Sequence, residues 1–225
     1  MRHFLLLLIA TAFFSCQTDR PQEAPMYANF FVRYLEEEQQ LKAHVSFYEG
    51  DTLTSSKPVI FDGDVTFQGN RMQPREIVKN QTFRYVYNGS DAYNRTFSFK
   101  FPKSGLGKQE YTVAMSPIED FAVKNDKVSL SDGMVLELKG EPLLANEKLV
   151  LLFTSENNVS IAAEFAGPFD VAELNVPAVQ ISGVEPGKNA LYLVKKQTST
   201  GRAGNVDCTS NIEFYTKLIE VEVVE

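Results

Sequence analysis

The chain has 225 residues, of which 44% are hydrophobic and 12% aromatic, enough apolar side chain for a buried core and too much for wholesale disorder. Its formal charge is −7, and no cluster of Lys and Arg offsets that sign locally, which argues against nucleic acid as a partner. Seventeen Phe and nine Tyr with no Trp lean toward strands, because flat side chains pack well on pleated surfaces.

Met1-Arg2-His3 is a short basic start, Phe4 to Phe14 an apolar run, and Ser15-Cys16 follows. That order predicts a cleaved signal peptide over residues 1–15. The run is far short of the roughly 20 residues that span a bilayer. An ordinary cleavage after Ala10-Thr11-Ala12, leaving Cys16 as a free thiol, is the alternative.

From Tyr27 onward the dominant period is two. Phe30 to Leu35 reads as a strand and Glu36 to Gln40 as a turn, although residues 35–42 are rich enough in helix formers to suit a short helix. Leu41, Ala43, Val45 and Phe47 then alternate with Lys42, His44, Ser46 and Tyr48, a half-buried strand with a wet outer face. Val59 to Phe61 and Val65 to Phe67 flank Asp62-Gly63-Asp64, which predicts a hairpin. Thr82 to Tyr87 is followed by a turn at Asn88-Gly89. Tyr93 to Phe101 and Tyr111 to Met115 are the next strands, and Ser116-Pro117 is the expected boundary.

A second series begins with Val128 to Leu130, the turn Ser131-Asp132-Gly133, and Val135 to Leu138. Leu149 to Thr154, Val159 to Phe165, Leu174 to Val176, Val179 to Ile181 and Ala190 to Lys196 follow, with a polar loop tip at Gly201 to Asn205. One long strand, Ile212 to Val224, ends the chain. Each series holds about seven strands, the content of one immunoglobulin-like sandwich. The expected fold is all-β: two tandem Ig-like antiparallel β-sandwich domains over residues 26–117 and 118–225, after a tether at 16–25.

The apolar run with Ser15-Cys16 behind it resembles the lipoprotein signals of bacteria, in the looser form found in Bacteroidota, with Phe13 and Phe14 where Leu and a small residue are commonest. The resemblance implies acylation of Cys16, an anchor of acyl chains without protein insertion, and outer-membrane delivery, since Gln17 rather than Asp follows the cysteine. Gly183-Val184-Glu185-Pro186-Gly187 resembles the E–F corner of fibronectin type III domains, with Tyr192 two positions later than that family's corner tyrosine. As a whole the chain is similar to the two-domain lipoproteins of Bacteroidota that carry no assigned reaction.

Chemistry is sparse. His3 leaves with the signal peptide, and His44 is expected to be a solvated surface residue. Cys208 has no neighbouring Lys, Arg or His to lower its pKa and reads as structural. Clustered Cys and His for zinc are missing, and Asp62-Gly63-Asp64 is explained by turn formation. No catalytic, cofactor-binding or metal residues are therefore assigned, and no enzyme is expected. The candidate binding surface is a Tyr/Asn-rich hairpin end formed by Tyr85, Tyr87, Asn88, Tyr93, Asn94 and Arg95, a composition suited to amphipathic contacts; the alternative is that the tyrosines pack in the core. The expected function is a non-enzymatic, lipid-anchored cell-envelope binding or scaffold protein with a protein partner, and a glycan-binding accessory lipoprotein of an uptake system is second.

Overall fold

The computed structural model describes residues 24–225, apart from residues 53, 78–81, 104–106 and 171. The expected signal peptide and Cys16 lie outside the described residues. The fold is all-β. No helix among the described residues is long and apolar enough to cross a membrane.

Strands β1 (Met26–Leu35) and β2 (Gln40–Glu49) form the predicted hairpin, and residues 36–39 make a turn rather than a helix. Short strands follow: β3 (Lys57–Val59), β4 (Thr66–Phe67), β5 (Asn70–Arg71) and β6 (Gln73–Ile77). β7 (Thr82–Gly89), β8 (Thr96–Lys103) and β9 (Gly107–Ala114) close the first half. The second contains β10 (Ile118–Val123), β11 (Lys127–Ser129), β12 (Met134–Gly140), β13 (Glu147–Ser155), β14 (Ser160–Ala166) and β15 (Glu173–Val176). After one helical turn, α1 (Ala178–Ile181), come β16 (Gly187–Ala203), β17 (Val206–Tyr215) and β18 (Ile219–Val224).

Several expectations change. Val59 and Val65 do not share a hairpin, because β3 pairs with β2 while β4 pairs with β5 and β8; Asp62-Gly63-Asp64 instead carries the chain from one sheet to the other. Asn88-Gly89 ends β7 without returning the chain alongside it, and β8 lies in a different sheet. Val179 to Ile181 forms α1, since Pro177 holds the extended backbone before it and the segment turns the chain toward β16. β10, in the stretch read as a boundary, was missed: its alternation of Ile118, Phe121 and Val123 is broken by a bulge between Ile118 and Asp120. The long last strand is two strands, broken at residues 216–218.

The largest difference concerns how the halves join. An 11-stranded sheet runs β11-β18-β16-β17-β1-β2-β7-β6, with β13 and β14 added alongside β16 and β3 alongside β2. The 17-residue β16 is the link. Its first part pairs with β13 and β18 of the second half, and its later part pairs with β17. β17 in turn lies parallel to β1, in register from Met26↔Val206 to Leu35↔Tyr215. The upper β16–β17 hairpin, turning at Gly204, is thus a projection of the second half that completes the sheet of the first. The main sheet crosses the expected division at Pro117, and the parallel β1–β17 and β11–β18 pairs depart from the expected purely antiparallel pattern.

Alternation explains the packing. Phe30, Val45, Phe47 and Phe214 point inward onto Phe97, Phe99 and Phe101 of the facing four-stranded sheet, β5-β4-β8-β9. Phe30 lies 4.8 Å from Phe99 and 4.7 Å from Tyr111 between ring centroids. In the second half Leu149, Leu151, Phe153, Leu191 and Val221 are covered by Leu136 and Val176 of the small sheet β10-β12-β15.

Candidate functional site

The outer face of the main sheet carries a row of flat side chains. The His44 ring stacks on Phe31 at 4.6 Å and 19°. The Arg33 guanidinium carbon sits 5.2 Å from the Phe31 centroid and 5.1 Å from that of Tyr215. Tyr215 stacks on Tyr192 at 6.2 Å. The row therefore crosses four adjacent strands, β2, β1, β17 and β16. Glu213 fixes its centre: its carboxylate takes two bonds from Arg33, at 2.6 and 2.8 Å, and one from the Tyr215 hydroxyl at 3.2 Å. Each member of the row is half-buried. A guanidinium between two aromatic faces is held by cation–π attraction while keeping outward donors free for a ligand.

Sequence reading missed this row although it left a trace. Phe30-Phe31 and Phe214-Tyr215 are aromatic pairs inside alternating strands, so one member of each must face outward. What no local pattern contains is their adjacency, which depends on the β1–β17 register.

His44 does face outward, as predicted, but it is not freely solvated. Burial first, then the charges of Arg84 and Arg33, lower its pKa to about 4. The unfolded chain binds this proton near pH 6.5, so the folded state loses stability as pH falls from about 6.5 to about 4 and levels off below. The urea midpoint should accordingly decline over that window, and His44→Gln should flatten that part of the profile. An unchanged profile in His44→Gln would assign the pH dependence elsewhere.

The Tyr/Asn-rich segment is dispersed. Tyr85 is a core residue whose hydroxyl accepts the Phe61 N–H at 2.8 Å. Tyr87 packs on Phe67 and donates to Asp91. Tyr93 is wedged against Tyr34, Phe97 and Phe214, donates to the Met115 carbonyl at 2.7 Å, and has its phenol pKa raised by burial. Asn88 is exposed at the end of β7, and Asn94 caps the backbone by accepting the Thr96 N–H at 3.1 Å. Arg95 reaches the other way, to Glu141 at 2.6 Å and Glu119 at 3.1 Å. The tyrosine rings thus serve packing, and the six residues form no common surface.

Arg95 instead lines a cavity of about 230 Å³ where the halves meet, with Ser116, Glu141, Glu147, Lys195 and Gln197. Lys195 and Glu147 form an ion pair of 3.0 Å with both side chains 2% exposed. The Glu147 carboxylate also accepts the Leu144 N–H at 2.9 Å and the Gln197 amide at 3.2 Å. β13 and β16 set this up by placing Glu147 opposite Gln197, and Leu149 opposite Lys195, on the inward face.

Cys208 lies inside β17, 2% exposed, and burial pushes its thiol up to about 12. That is the reverse of what a nucleophilic cysteine needs. No group of three or more metal-ligating side chains occurs among the described residues. No protein-family model matches the chain, and no curated protein matches it.

Proposed function

We propose that this protein is a non-enzymatic, lipid-anchored scaffold of the cell envelope that binds a protein partner through the outer face of its main sheet. The observation that carries the reading is the stacked row His44-Phe31-Arg33-Tyr215-Tyr192. Arg and Tyr dominate the energetics of protein contacts because they bring large, stiff area with a polar end. Here they are already ordered by Glu213, so less side-chain freedom is lost on binding. The row extends across the outer face of four adjacent strands, an arrangement that suits a protein surface better than a small substrate, whose sites are concave. The glycan reading depended on exposed rings of Tyr85, Tyr87 and Tyr93, which pack inward, and it gains no support.

The anchor rests on Cys16 and its tether. Metabolic labelling with a clickable fatty acid should mark the wild type and leave Cys16→Ser unlabelled. For the binding face, tagged full-length protein cross-linked in its own envelope should retain one stoichiometric protein. Tyr215→Ala should deplete that protein about tenfold or more at unchanged thermal stability, because a central aromatic anchor typically contributes that much. Equal retention by Tyr215→Ala would place the partner elsewhere.

A further inference from the structure

We propose that β14 is a dimerisation edge that pairs antiparallel with β14 of a second copy of this chain. Among the described residues β14 pairs with β13 alone, with α1 and Gly183 packed near Ile161, so its other side is a row of backbone donors and acceptors that no other strand takes. Proteins protect such edges with Lys, Pro, bulges or extreme shortness. Among the described residues the other edges are protected in those ways, β11 by Lys127 and its three-residue length. β6 carries Pro74, Arg75 and Glu76, β9 carries Lys108 and Glu110, and β3 carries Lys57 and Pro58. β10 has its bulge, the upper part of β16 carries Arg202, β15 has four residues and β5 two. β14, Ser160-Ile161-Ala162-Ala163-Glu164-Phe165-Ala166, runs seven residues without Lys, Arg, Pro or a register shift.

Two bonds fix which groups face the open side. The Ser155 N–H donates to the Val159 carbonyl and the Gly167 N–H to the Glu147 carbonyl, both at 3.0 Å. With the unbroken register between them, Ile161, Ala163 and Phe165 exchange bonds with β13. Ser160, Ala162, Glu164 and Ala166 therefore turn their N–H and C=O groups outward.

The occupant follows from the sequence of the strand, which is complementary to itself. A twofold axis through Ala163 sets Ile161 opposite the other copy's Phe165, Ala162 opposite its Glu164, and Ser160 opposite its Ala166. The outward-bonding residues then meet as hydrogen-bonded pairs, 162 with 164 and 160 with 166, as an antiparallel ladder requires. Ile161 and Phe165 are half-buried in the single chain, and the pairing gives each a β-branched–aromatic contact of the favourable kind. The only charge on the strand, Glu164, faces an alanine and already has Lys148 at 2.6 Å. Such a contact is isologous and closes at two copies.

Sedimentation velocity of the full chain in mild detergent, across a concentration series, tests this. Wild type should shift from one to two chain masses with concentration. Ala162→Pro removes an outward N–H from each copy without touching the β13 ladder, and should raise the dimer dissociation constant about tenfold or more. Glu164→Lys, which gathers four ammonium groups at the axis and disturbs no backbone, should do the same. At concentrations where the wild type is monomeric both variants should keep its melting temperature, and Tyr215→Ala should dimerise normally. A wild type that stays monomeric throughout, or dimers equally tight in Ala162→Pro and Glu164→Lys, overturns the proposal.

Discussion

Lys195→Met should destabilise the protein by about 3–5 kcal/mol, the cost typical of removing one partner from a buried ion pair. The methionine chain fills the same space, so the loss comes from stranding the Glu147 carboxylate at 2% exposure beside an apolar core. The bonds from Leu144 and Gln197 remain but do not neutralise it. Lys195→Met/Glu147→Gln should then recover most of the loss, because the amide oxygen still accepts the Leu144 N–H and no buried charge is left. Urea denaturation of the single and double variants makes the comparison. A single variant within about 1 kcal/mol of wild type would mean that water reaches the pair through the adjoining cavity. A double variant as weak as the single one would mean that packing, not charge, holds the joint.

Phe214→Ala should have an effect of similar size and a more informative form. Truncating a buried Phe costs about 3–5 kcal/mol. Phe214 belongs to β17, far along the chain, yet its ring lies 5.6 Å from Tyr34 and 4.9 Å from Tyr93 in the first core. Because β16 runs unbroken through both halves, the whole molecule should still melt in one transition, at a lower midpoint, by tyrosine near-UV dichroism and by far-UV dichroism alike. The fragment 24–117, lacking the hairpin, should show no cooperative transition, since β1 would lose its ten-residue partner and Phe30 part of its cover. Two separate transitions in Phe214→Ala, or a cooperative fragment, would show that the halves fold independently.

The two results bear on the proposed role together. On the proposed reading, a face built from β2, β1, β17 and β16 would recognise a partner only while the hairpin stays seated. The buried pair and Phe214 hold the ordered row in place from the inward side of the same strands.

Much of the secondary structure was legible because its cause is local. Leu41, Ala43, Val45 and Phe47 alternate with polar residues, and a pleated strand sends successive side chains to opposite faces whatever lies opposite. The same rule marked β7 and β8. It faltered at Val179 to Ile181, where Pro177 and the turn outweigh β-branched composition, and at β10, where a bulge breaks the period.

By itself, then, the sequence determined that most of this chain forms strands and, where polar and apolar residues alternate, which side chains face the core. It also showed that Cys208 and His44 have no partner nearby along the chain to activate them. Only the tertiary structure decided which strands are neighbours. Strand pairing is a contact between segments up to about 180 residues apart, Arg33 and Glu213 among them, and alternation carries no information about partner or direction. The projecting hairpin, the Lys195–Glu147 joint and the outward row all follow from that pairing, and for that reason none could be read from spacing alone.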